Sequence, residues 1–223
     1  RYGITDAKQR LFRYGVQVNS LGLTEPQPEN NVARILIEML AVTLSKNARA
    51  RAVQLPAWNE ALGLPRPWDQ QWSLRMQQIL AYETDLLDYG DIFDGSGEIA
   101  RKVDDLKRQA REELARIETM GGAVAAVDTG YLKQQLVESN TMRLEAIERG
   151  EQIVVGVNKY LESEPSPLAG TADSILTVSD DAERNQIDRL KAWRASRDEA
   201  AVAGALNELK RAARGNANIM PAS

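Results

Sequence analysis

The chain has 223 residues, with 28 Lys and Arg against 32 Asp and Glu, and a net charge of −4. That length can bury a core in one or two domains. The two signs are interspersed without a dominant basic patch, which argues against a nucleic-acid or anionic-membrane surface. Histidine and cysteine are both absent, so a zinc site, a Ser-His-Asp triad, a Cys-His dyad and a disulfide framework are excluded. Catalysis would have to come from carboxylates, lysines, tyrosines or a cofactor with its own chemistry. No apolar run approaches the ~20 residues that span a bilayer, and no signal-peptide pattern opens the chain. The expectation is a soluble, cytoplasmic protein.

In chain order, residues 1–12 are charged and read as a helix end or a frayed terminus. Arg13 to Asn19 alternates, with Tyr14, Val16 and Val18 on one face and Arg13, Gly15, Gln17 and Asn19 on the other, which predicts a strand. The loop Leu21–Glu29 carries Pro26 and Pro28, and Asn30 and Asn31 are placed to cap the next helix. That helix, Val32 to Leu44, is apolar around most of its circumference, with Arg34 and Glu38 forming a polar i,i+4 edge. Lys46 to Arg51 reads as a basic, solvated turn. A second strand runs from Arg49 to Leu55, with Ala50, Ala52 and Gln54 on one face.

Pro56 ends that strand, a short helix at Trp58–Leu62 closes on Gly63, and a longer helix follows from Asp69 to about Asp88. Strands alternating with helices at this spacing predict right-handed βαβ units and a parallel sheet. Asp91–Asp94 reads as a weak third strand and Gly95-Ser96-Gly97 as a tight turn.

Beyond residue 97 the chain becomes long and helical. Ile99, Val103, Leu106, Ala110, Leu114 and Ile117 form an apolar stripe on a charged helix stopped by Gly121-Gly122. Another helix ends at Gly150. Ile153–Asn158 reads as a strand and Pro165–Thr177 as a loop. A helix from Asp180 to about Ala195 turns Ile187, Leu190 and Trp193 inward, and Ser196-Arg197-Asp198-Glu199 reads as a capping box opening the last helix, which ends near Gly215.

Taken by themselves, few residues suggest chemistry. Gly95-Ser96-Gly97 opens a helix whose N–H groups suit a phosphate, but it lacks the P-loop lysine and the dinucleotide spacing, so a plain turn accounts for it. Glu60, Asp91 and Asp94 follow strands, where barrel active sites lie, and surface solvation accounts for them as well. Trp58, Trp68, Trp72 and Trp193 suit a core.

Three blocks carry a family resemblance. The first is RYGVQVNSLGLTEPQPENN with NEALGLP. The second is IETMGGAVAAVDTGYLKQQLVESNTMRLEAIERGEQIVVGVNKY. The third is QIDRLKAWRASRD with the closing NIMPAS. Together they resemble the adenosylcobalamin-dependent acyl-CoA mutases, and the ethylmalonyl type more than the methylmalonyl type. The resemblance implies an α/β fold: residues 1–97 are the late strands and helices of a (β/α)₈ barrel threaded by the coenzyme A arm. Residues 98–223 are then a mostly helical segment leading to a cobalamin domain. The chain begins at Arg1 and lacks the family's Asp-x-His-x-x-Gly motif, so it reads as a fragment of a longer, homodimeric enzyme and is expected to be inactive alone.

The activity implied is an intramolecular transfer, the radical rearrangement of ethylmalonyl-CoA to methylsuccinyl-CoA with adenosylcobalamin. Arg13 stands where the family has an acyl-CoA-contacting Arg, and Gln54 stands where methylmalonyl-CoA mutases have a His. Gly15, Gln17, Asn19 and Ala52 join them as substrate-side residues, because a face of small and polar side chains leaves a hollow channel. Glu60 and Ser96 are the cofactor-side residues. One turn beyond Ser96, Ala100 replaces the Glu usual in the ethylmalonyl type. The rival reading is a non-enzymatic helical scaffold docking a partner through helix 32–44.

Overall fold

A computed structural model describes residues 3–166, 174–215 and 218–222. It divides into two compact units, Arg1–Leu176 and Thr177–Ser223. In the first unit, strand β1 (Gly15–Gln17) is followed by helix α1 (Asn30–Leu44), strand β2 (Ala52–Gln54) and helix α2 (Pro67–Tyr82). The strands pair in parallel, Gly15 with Ala52, Val16 with Val53 and Gln17 with Gln54. Bonds from Arg51 N–H to Tyr14 C=O (2.8 Å) and from Val18 N–H to Gln54 C=O (3.1 Å) extend the ladder at both ends. This is the expected βαβ unit, and it makes the protein mostly helical with a small parallel sheet.

The core follows from the alternation. Val18, Ile35, Met39, Leu55, Trp58, Met76 and Leu80 are buried together, with Val32, Leu40 and Val53 packed against them. Helix α1 directs Ile35 and Met39 into the core, while Leu36 and Ile37 of the same helix are exposed. Pro67 opens α2 at its first position, where a missing N–H costs nothing. The helix stops at Tyr82 rather than near Asp88. Thr84 donates its hydroxyl to Leu80 C=O, and Lys46 Nζ gathers the carbonyls of Leu86, Leu87 and Tyr89 into a turn.

Two predicted strands are turns instead, and in each a side chain replaces the sheet ladder. Asp91 accepts Phe93 N–H (2.8 Å) and Asn47 N–H (2.7 Å), which folds 91–94 back on itself. At 153–158, Asn158 accepts Val154 N–H (2.7 Å) and donates to the carbonyls of Ile147 (2.7 Å) and Gln152 (2.8 Å). Gly156, at φ 80°, reverses the chain and leaves a single bridge between Val155 and Lys159.

The remaining helices of this unit are the long α3 (Gly97–Thr119) and α5 (Tyr131–Glu148), with the short α4 (Ala123–Asp128) between them and Gly150 in the left-handed conformation just past α5. The expected domain division at residue 97 is not where the compact units part. Hydrogen bonds from Arg34 to Val155 C=O, from Gln27 to Tyr160 C=O and from Leu176 N–H to Leu64 C=O hold the turn 153–160 and Leu176 to the strand-bearing segment.

The second unit holds α6 (Asp180–Ser196) and α7 (Glu199–Arg214). Ile187, Leu190 and Trp193 are exposed rather than inward. The cap of α7 is Asp198, which accepts from Ala200 and Ala201 N–H, while Ser196 still belongs to α6. Residues 167–173 of the expected loop lie outside the described residues, and residues 7–10 form a turn without a helix. No helix among the described residues is long and apolar enough to cross a membrane.

Candidate functional site

The residues expected on the substrate side lie on one face of the strands. Gly15, Gln17, Ala52 and Gln54 are exposed in two register-matched rows, while Val16, Val18, Val53 and Leu55 turn toward the core. The closeness of the rows shows at Gly15, where an added Cβ would meet Ala52 Cβ at 3.6 Å. That is ordinary contact, so the position tolerates a side chain sterically and the face stays open because its residues are small. Asn19 ends the row, accepting Leu21 N–H at 3.0 Å.

At the amino ends of the strands, Arg13 and Arg51 join Arg10 and Arg49 around a cavity of about 250 Å³. Phe12 and Tyr14 stack beside it, centroids 5.1 Å apart. None of the four arginines forms an ion pair with a carboxylate among the described residues. Arg49 and Arg51 of the basic stretch 46–51 are exposed, as expected for a solvated turn, and line this cavity with Arg10 and Arg13. Parallel pairing forces this, since Arg13 and Arg51 each immediately precede or flank the start of adjacent strands.

At the carboxyl ends, Glu60 opens the 3₁₀ turn Glu60–Leu62 and is exposed, with no cation paired to it among the described residues. The residues behind it are fixed. Asn59, fully buried, donates to Asp69 Oδ2 at 2.9 Å and to Ser174 C=O at 3.3 Å. Asp69 also accepts the Arg66 N–H and side chain at 2.9 Å. Burial pushes the Asp69 carboxyl up, but the bonds from Arg66 and Asn59 outweigh it, and its pKa lies below the ordinary value. Ser96 stands apart from Glu60. Its hydroxyl accepts Ile99 N–H as the cap of α3. It lines a cavity of about 520 Å³ with Ser45, Asn47 and Ala48, the residues leading into β2 rather than those leaving it.

The residues that tie this end together, Asn31 and Arg34, play other roles than the sequence suggested. Asn31, expected as a cap, is inside α1 and fully buried. It makes four hydrogen bonds: from Thr24 N–H (3.0 Å) and Arg34 (2.7 Å), and to Thr24 C=O (2.9 Å) and Trp58 C=O (2.9 Å). Arg34 does not pair with Glu38 as the i,i+4 spacing suggested. It donates to Thr24 Oγ1 and Val155 C=O, each at 2.8 Å, and burial lowers its pKa. A polar residue on a helix that is otherwise apolar is the signal that could have found both.

Comparison with known proteins identifies the family. The family model described as Methylmalonyl-CoA mutase matches residues 1–223. Ethylmalonyl-CoA mutase of Methylorubrum extorquens is 70% identical over all of this chain and 32% of its own length, and that of Cereibacter sphaeroides is 69% identical over all of this chain and 34% of its own. Methylmalonyl-CoA mutase of Escherichia coli is 34% identical over 223 residues. The chain spans about a third of the length of these relatives. A match of the family model over the whole chain, on a parallel βαβ unit, shows that the chain belongs to the methylmalonyl-CoA mutase family.

Proposed function

We propose that this chain forms part of the acyl-CoA channel of a cobalamin-dependent mutase acting on ethylmalonyl-CoA and yielding methylsuccinyl-CoA, an intramolecular transferase that works as a homodimer. In this reading β1-α1-β2-α2 are two successive units of a (β/α)₈ barrel. The observation that carries the proposal is the single open face of the strands. It is formed by Gly15, Ala52, Gln17 and Gln54, with exposed Arg13 and Arg51 preceding the strands and exposed Asn19 and Glu60 following them in the chain. Ordinary barrel interiors are filled by bulky branched side chains. This face has none, and a thin pantetheine arm fits between small residues and amide donors. The arginine rim suits the phosphates at the arm's far end.

Glu60 fits the cofactor side, because an exposed carboxylate without a cation accepts sugar hydroxyls well. With no histidine in the sequence, this chain contributes no imidazole ligand to cobalt. Adenosylcobalamin, when bound, supplies the radical chemistry. What these residues do is hold the thioester arm in line, orient the acyl end and exclude water.

The test is to give the full-length polypeptide adenosylcobalamin with ethylmalonyl-CoA or methylmalonyl-CoA and identify products by mass spectrometry and NMR. Methylsuccinyl-CoA formed at the higher kcat/KM is expected. Rearrangement of methylmalonyl-CoA alone would overturn the substrate assignment.

A further inference from the structure

The loops at the carboxyl ends of β1 and β2 are connected to a distant turn by one continuous set of hydrogen bonds. Buried Asn31 spans the first loop at Thr24 and the second at Trp58 C=O, two residues before Glu60. Arg34 bonds Asn31 Oδ1 with one end of its guanidinium and Val155 C=O with the other. A second tie lies alongside. Gln27 donates to Tyr160 C=O at 2.9 Å and accepts from Asn30 at 2.9 Å. An added Cβ on Gly156 would stand 3.0 Å from the Gln27 side chain, so the turn lies directly on the loop. Asn158 braces that turn from its far side, bonding Ile147, Gln152 and Val154 and neither loop.

We infer that Arg34 is a positioning residue that couples docking of the turn 153–160 to the order of the Glu60 loop. Its partners at both ends are neutral oxygens, and no carboxylate among the described residues pairs with it. When the turn leaves, Arg34 loses Val155 C=O and its hold on Asn31 loosens. Asn31 in turn anchors Trp58. Coupling of this kind is reciprocal: whatever orders the Glu60 loop also favours docking of the turn. The consequence for cofactor affinity rests on the proposed function. The coupling itself does not.

Hydrogen exchange in the full-length polypeptide tests it. Arg34→Met keeps the stem and removes every donor. It should speed exchange at both 153–160 and 57–62 by about tenfold, the effect of one charged hydrogen bond, while helix 67–82 stays protected. Arg34→Lys keeps the charge but cannot span both Asn31 and Val155, so it should restore only a minor part of the protection. Asn158→Ala touches neither loop, yet should also speed exchange at 57–62, and it decides the matter if Arg34→Met loosens the whole fold. Exchange raised at 153–160 alone in Asn158→Ala, with 57–62 unchanged, would overturn the coupling. In the same variants the Kd for adenosylcobalamin should rise while the KM for acyl-CoA holds. Coupled exchange with an unaltered Kd supports the coupling and overturns the cofactor role of Glu60 instead.

Discussion

The segment from Tyr14 to Tyr82 and the helices from Gly97 to Glu148 are both amphipathic, yet they end in opposite conditions. The first buries Ile35 and Met39 completely and Trp58 almost so, in one cluster with both strands and α2. The second leaves large apolar side chains uncovered by the described residues: Leu106 is 52% and Leu114 61% exposed on the stripe of α3, Leu136 is 73% exposed on α5, and neither helix contains a buried residue. Intrahelical ion pairs such as Arg108 with Asp105 and Glu112 support α3 instead. Such exposed pairs contribute little each. An apolar stripe makes a helix possible, but burial requires a second surface at the right distance; the strand-bearing segment supplies one to a whole cluster, whereas between Gly97 and Glu148 Ala126 alone is buried.

That contrast is open to direct attack. The largest expected effect is Trp58→Ala, with Ile35→Ala next, each costing about 3–5 kcal/mol in urea unfolding because the site cannot collapse. Losses under about 1 kcal/mol at both positions would mean that the cluster is not the organising core. Asp69→Asn should follow at about 3 kcal/mol near neutral pH, since it breaks a buried, multiply bonded carboxylate. Because the folded pKa is depressed below the ordinary 3.8, this stabilisation is present above pH 3.8 and is lost as pH falls through the folded value. The gap between the two proteins should therefore close in acid. A gap that persists unchanged at the lowest pH would show that the carboxylate's charge is not what matters. Smallest of all, Leu106→Ala and Leu136→Ala should shift unfolding of this chain by about 0.5 kcal/mol or less. A core-sized loss there would erase the distinction between the two regions.

The strand-bearing segment was legible because alternation at Tyr14–Val18 and Arg49–Leu55 has one solution once a greasy helix lies between them. The same rule failed at Ile153–Asn158, where the apolar run is real but Asn158 and Gly156 turn it. At Asp91–Asp94 a single carboxylate spends two backbone donors that a strand would have used. Local preference also misplaced the last helix cap, because Ser196 and Asp198 compete and only Asp198 has the geometry. In the candidate site, parity identified the open face of Gly15, Gln17, Ala52 and Gln54. The arginine rim and the Asn31–Arg34 relay were not legible, because they depend on which residues parallel pairing and helix packing bring together over separations of 27 to 121 positions.

The central claim is that the open face of the two strands lines the acyl-CoA channel. Gly15→Leu and Ala52→Leu in the full-length polypeptide test it, since both positions are exposed and a Cβ at Gly15 makes only ordinary contact. Each should lower kcat/KM for the acyl-CoA by at least about tenfold, equivalent to ~1.4 kcal/mol, with adenosylcobalamin affinity and thermal stability held. Unchanged kinetics in both variants would contradict the account.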